Sequence, residues 1–76
     1  MTITAAQLRA ARRLLGWSQD DTAGATGLET LTIVNFERGE RFLSRDALKD
    51  IQIMLEAAGV EFTNDGEPVV RLRKAK

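Results

Sequence analysis

The sequence predicts a mainly α-helical domain that closes in a short β-hairpin. Three observations carry this. Three segments space their apolar residues by three and four, as one face of a helix requires, and a fourth, shorter one is marked by its cap and first-turn acids. The ends of those segments carry capping residues and glycine stops. After Gly59 the pattern changes to alternation, with Asn64-Asp65-Gly66 and Pro68 supplying turn chemistry between two short strands.

Thr4-Ala5-Ala6-Gln7 has the form of a capping box, in which Thr4 accepts from the Gln7 amide and Gln7 reaches back. The helix it opens, about 5–15, aligns Leu8, Ala11 and Leu15 on one side together with Arg12, and Gly16 ends it. Arg9 and Arg13 lie away from that stripe and read as a solvated face. Ser18 caps a second, short helix at about 18–25, whose first turn carries Asp20 and Asp21 at the positive helix end. Gly24 inside it costs roughly 1 kcal/mol relative to alanine, so this helix has the weakest local signal. Trp17, between a helix stop and a cap, is expected to pack in the core.

Gly27 breaks the chain, a third helix follows at about 29–38, and Gly39 stops it. After a loop, Ser44 caps the longest helix, about 45–58. Its stripe is Ala47, Leu48, Ile51, Met54, Leu55 and Ala58, Ile53 lies off it, and Gly59 terminates it. In the hairpin, about 60–72, an odd loop pairs Val60 with Leu72, Glu61 with Arg71 and Phe62 with Val70. That register sorts apolar residues onto one face and opposite charges onto the other, whereas an even loop mixes them. Because a lone hairpin is marginal in water, its Phe62 face is expected to pack on the helices.

A length of 76 residues suits one small domain. With no cysteine or histidine, disulfides, thiol catalysis and the commonest zinc ligands are excluded. The carboxylates show no spacing that gathers two of them in a cleft, so no enzymatic activity and no cofactor are expected. Gln7, Arg9, Arg12 and Arg13 interrupt the N-terminal stretch, which therefore lacks the apolar core of a signal peptide. No run approaches the ~18 apolar residues of a membrane span. A cytoplasmic location and no membrane contact are the expectation. Eleven basic and eleven acidic residues cancel, so any binding to a polyanion depends on where those charges sit.

The decisive constellation runs from Gln19 to Phe36. Two short helices that cross steeply at close range need a small residue at the crossing, which Ala23 supplies. Their turn needs a positive φ, which Gly27 adopts cheaply. The second helix needs hydrophobes on its inner side only, and Ile33 and Phe36 meet that demand. Its other side carries Thr30, Leu31, Val34, Asn35 and Arg38, two of them aliphatic residues aimed at solvent. A helix held this way can enter a DNA major groove.

At these residues the chain resembles the phage-repressor-like, or XRE-type, helix-turn-helix transcriptional regulators. The matching residues are Leu8, Arg12, Gly16-Trp17-Ser18-Gln19, Ala23, Gly27-Leu28, Thr32-Ile33 and Glu37-Arg38-Gly39, over about residues 5 to 60. The ending, AAGVEF followed by VRLRK, looks like that of small bacterial members with a C-terminal hairpin. The resemblance implies a four-to-five-helix DNA-binding domain and a transcriptional regulator, most simply a repressor. It implies base reading by Thr30, Leu31, Val34 and Asn35, and phosphate contacts from Gln19, Arg41 and Arg45, with Arg38 on the same side. It also implies a structural ion pair between Arg12 and Glu37.

Three features depart from the family pattern. Thr22 stands where leucine is usual, Glu29 replaces a serine or threonine cap, and the recognition face is poor in arginine, lysine and glutamine. Leu31 and Val34 suit thymine methyl groups, and Asn35 suits a bidentate pair with adenine. The same apolar pair suits a protein groove, so a protein-binding adaptor or antitoxin-like module is the alternative. Double-stranded DNA is the expected partner and a homodimer on two half-sites the expected assembly. Ile53, the outer face of the fourth helix and the VVRLR edge are candidate dimer surfaces. The basic tail of Arg71, Arg73, Lys74 and Lys76 reads as solubilising.

Overall fold

A computed structural model describes residues 3–63 and 69–72. The order of elements is α1 (Ala5–Leu15), α2 (Gln19–Thr26), α3 (Thr30–Glu37), α4 (Arg45–Ala57), β1 (Val60–Thr63) and β2 (Val69–Leu72). The fold is therefore mainly helical with a two-stranded antiparallel hairpin, and four helices form among the described residues.

Local chemistry sets the helix ends. The Thr4–Gln7 box is closed in both directions, with the Thr4 amide donating to Gln7 Oε1 at 2.8 Å and the Gln7 amide to Thr4 Oγ1 at 3.1 Å. Ser18 and Asp21 form a second box that caps α2, and Ser44 Oγ accepts from the Ala47 amide to cap α4. Glu29, at the corresponding position of α3, makes no side-chain capping bond. The end of α3 is closed instead at the other terminus. Gly39, at φ +77°, lets its own amide reach the Phe36 carbonyl and the Glu40 amide reach the Asn35 carbonyl at 2.8 Å.

The core gathers Ile3, Leu8 and Ala11 from the N-terminal end and α1, Phe36 from α3, Leu48, Ile51 and Leu55 from α4, and Val60 from β1. Trp17, Leu28, Leu43, Phe62 and Val70 pack against it from the side, which puts Trp17 in the packing role its position implies. Thr22 fills its leucine-like position fully buried, and its hydroxyl donates to the Ser18 carbonyl at 3.0 Å, so the substitution strands no polar group. The α4 stripe is narrower than the sequence suggests. Leu48, Ile51 and Leu55 are buried, but Met54 and Ala58 are exposed. Leu48, Ile51 and Leu55 join the core with Leu8, Ala11, Phe36 and Val60, while Met54 and Ala58 are left to solvent.

The hairpin adopts the odd-loop register, pairing Val60 with Leu72, Glu61 with Arg71 and Phe62 with Val70. Arg71 Nε donates to Glu61 Oε1 at 3.0 Å on the outer face. The inner face lies against α1 and α4, with Val60 buried and Phe62 and Val70 packed at the core edge. The turn residues Asn64, Asp65, Gly66 and Pro68, with Glu67, and the tail residues Arg73, Lys74 and Lys76 lie outside the described residues. No described helix is long and apolar enough to cross a membrane.

Candidate nucleic-acid interface

The arrangement that presents α3 begins with the turn before it. Gly27 takes φ +76°, and its amide donates to the Ala23 carbonyl at 2.9 Å, so the chain leaves α2 and re-enters a helix within three residues. Ala23, small and buried, lies on α2, and that helix packs against α3. Ile33 and Phe36 turn inward and are buried. One flank of α3 is thereby committed to the core and the other is presented outward.

Glu37, the last residue of α3, fastens that helix to both preceding ones. Arg12 Nε donates to Glu37 Oε2 at 2.8 Å and Arg12 Nη2 to Glu37 Oε1 at 3.0 Å, a two-pronged pair. The Glu37 side chain is 3% exposed and that of Arg12 15%, so the charges are held largely out of water. Arg12 also donates through Nη1 to the Trp17 carbonyl at 3.1 Å. Gln19 Nε2 donates to Glu37 Oε1 at 3.3 Å, so the side chain matched to a phosphate contact spends a donor inside the protein.

Arg9 corrects the solvated-face reading. Its Nη2 donates to the Glu37 carbonyl at 2.6 Å, and the residue is half-buried. The physical cause is that the last carbonyls of a helix lack intrahelical donors and form its negative end, which draws a cation from the helix alongside. Arg13 remains exposed as expected.

On the outward flank, Leu31 is 66% exposed, and Thr30, Val34 and Asn35 are half-buried. The four proposed base-reading residues thus share one helix flank, and neither Leu31 nor Asn35 is buried. Among the described residues the Asn35 side chain makes no hydrogen bond, leaving its amide free to pair with an external edge. Thr30 differs, because its hydroxyl donates to Asp20 Oδ1 on α2 at 2.6 Å.

That contact exposes a polarity along α3. Beside its N-terminal end stand Asp20, which accepts from Thr30, and Glu29, which immediately precedes it, both exposed, while Asp21 follows Asp20 in the first turn of α2. Beyond its C-terminal end come Arg38, Arg41 and Arg45, with one acid, Glu40, between them, and Asp46 in the first turn of α4. Arg38 pairs loosely with Glu40 at 3.7 Å. Arg41 and Arg45 are exposed and make no ion pair among the described residues. Arg45 opens α4, where the helix dipole disfavours a cation unless an anion joins it. The residues matched to phosphate contacts therefore separate into Gln19, tied inward, and an arginine group after α3.

Sequence reasoning passed over one residue here. Phe42, in the loop between α3 and α4, is 95% exposed, more than any other large hydrophobic residue described. A loop position carries no periodicity, so the only signal was a phenylalanine flanked by arginine. Elsewhere, Gln7 Nε2 is buried without a hydrogen-bond partner, and Gln7 lines a shallow cavity of about 360 Å³ with Thr4, Ala6, Ala10 and Val70. No lining residue comes from α3, so that cavity is separate from the outward flank. No protein-family model matches the chain, and no curated protein sequence matches it.

Proposed function

We propose that the chain is a double-stranded DNA-binding transcriptional regulator of the phage-repressor-like, XRE helix-turn-helix kind, acting most simply as a repressor. The observation that carries this reading is the asymmetry of α3. Its inner residues Ile33, Phe36 and Glu37 are buried, while Leu31 is exposed and Val34 and Asn35 are half-buried on the other flank, the Asn35 side chain making no hydrogen bond among the described residues. An eight-residue helix is about 12 Å long, comparable to the width of the major groove. In that groove Leu31 and Val34 meet thymine methyl groups and Asn35 pairs with adenine N6 and N7. Arg38, Arg41 and Arg45 meet phosphates from the C-terminal side. Gln19 Nε2 carries two hydrogens, so one bond to Glu37 still leaves a donor for a phosphate and aims it.

A domain of this size makes few phosphate contacts, so the reading includes a homodimer that spans two half-sites about one helical turn apart. One observation favours a second reading, a protein-binding adaptor or antitoxin-like module. The acids Asp20, which holds Thr30, and Glu29 close to the exposed Leu31 oppose a polyanion and suit a partner with a basic rim. Selection of bound sequences from a pool of random duplexes, followed by anisotropy titration at two salt concentrations, separates the two. Enrichment of half-sites containing A·T steps, with salt-sensitive binding lost in a Thr30, Leu31 and Asn35 triple alanine variant, supports the regulator. Failure to enrich any sequence, with no duplex binding at low salt, removes it.

A further inference from the structure

We infer that Phe42 is an apolar anchor on the DNA, packed against the sugar edge of the duplex while Arg41 and Arg45 beside it meet phosphates. The inference rests on the DNA-binding reading above and deepens it, by placing the main grip at the C-terminal end of α3 and the loop after it.

Phe42 is exposed by construction. Leu43 packs against the core and Ser44 caps α4, which fixes the chain on one side. Gly39 and the Glu40-to-Asn35 bond close α3 on the other. Between these two fixed points Arg41 and Phe42 are both exposed. At 95% exposure the ring contributes almost nothing to the fold and is free to be buried by something else.

Charge identifies what buries it. The nearby Arg41 and Arg45 are unpaired among the described residues, whereas the opposite end of α3 has Glu29 before it and Asp20 of α2 beside Thr30. A duplex offers the matching surface, with phosphates to take the guanidinium groups and deoxyribose faces between them to take a ring. The acidic end repels the backbone and the basic end attracts it, so the duplex leans toward Phe42. That end also carries Asn35, whose carbonyl accepts the Glu40 amide at 2.8 Å. Phe42 lies only two residues beyond Glu40, no more than about 7 Å along the backbone. Base reading by Asn35 and backbone gripping by Phe42 therefore share one turn of the structure.

The test is an anisotropy titration of a labelled random-sequence duplex by the full chain at about 50 and about 200 mM salt. Wild type, Phe42→Ala and Arg41→Ala are compared, with melting and sedimentation of each variant in the absence of DNA. Phe42→Ala is expected to bind about tenfold more weakly at both salts, with the slope against salt and the melting temperature unchanged. Arg41→Ala is expected to weaken binding and to make the slope shallower by about one. If Phe42→Ala binds like wild type while Arg41→Ala is weakened, the inference is wrong and the DNA reading survives. If Phe42→Ala disrupts self-association without DNA, Phe42 is a contact between copies and the inference is again wrong. A wild-type chain that ignores the duplex even at the lower salt removes both.

Discussion

Both carboxylate oxygens of Glu37, at the end of α3, are held by the guanidinium of Arg12 on α1, at 2.8 and 3.0 Å. This pair ties the helix that faces outward to the helix that anchors the core. Its desolvation makes it costly to break from one side. Arg12→Met leaves a carboxylate 3% exposed without its main counter-charge, and is expected to destabilise the fold by about 3–5 kcal/mol. The double variant Arg12→Met, Glu37→Leu should recover much of that loss. Chemical denaturation of the two single variants and the double variant measures the coupling, and strictly additive losses would refute the interpretation.

Asn35→Ala isolates base reading from stability. Asn35 makes no side-chain hydrogen bond among the described residues, so its removal should leave the melting temperature close to that of wild type. On the DNA-binding reading, a duplex selected for binding should lose about 1–3 kcal/mol of affinity, while random duplexes lose little. Titration of both duplexes decides it, and an equal loss on each contradicts a base-specific role.

Asp20→Asn should move stability and affinity in opposite directions. The carboxylate stands in the first turn of α2, where it favours the positive helix end, so neutralising it costs about 0.3–1 kcal/mol of fold stability. The same change removes a negative charge that touches Thr30 at 2.6 Å beside the proposed DNA face. Tighter binding, most evident at low salt, is therefore expected from anisotropy. Weaker DNA binding in a folded Asp20→Asn variant would indicate that the carboxylate orients Thr30 productively.

Gly39→Ala tests the backbone closure of α3. A Cβ at Gly39 meets nothing within 4 Å, so space does not forbid alanine. The φ of +77° does, at a cost of about 1–2 kcal/mol. Thermal melting should show that loss, and DNA affinity should fall as well, because the loop carrying Arg41 and Phe42 hangs from this closure. An unchanged melting curve would mean that the helix end relaxes into another form.

How much of this was legible beforehand depends on the range of each interaction. Thr4 with Gln7, Ser44 with Ala47, and the stops at Gly16, Gly27 and Gly39 all act within about one helical turn, so residue identity and spacing reveal them. The hairpin register was legible because only one pairing puts Phe62 opposite Val70 while setting Glu61 against Arg71. Other placements were hidden because they depend on which surfaces meet across the fold. Arg9 found the Glu37 carbonyl, Gln19 turned an amide inward and Asp20 captured Thr30 only once α1, α2 and α3 had come together. Met54 and Ala58 follow the period of α4 yet stay exposed, because periodicity along one helix does not say how wide a stripe the rest of the fold covers.

Periodicity and capping chemistry alone determined that this chain makes short helices with abrupt ends, buries Ile33 and Phe36, and finishes in a hairpin. Those are decisions among near neighbours, settled by local sterics and hydrogen-bonding demand. Tertiary structure alone decided that Glu37 also gathers Arg9 and Gln19, that Asp20 comes to stand beside Thr30 at the start of α3, and that Phe42 stays in solvent. Each of these depends on which surfaces meet in space, which a pattern read along one dimension does not contain.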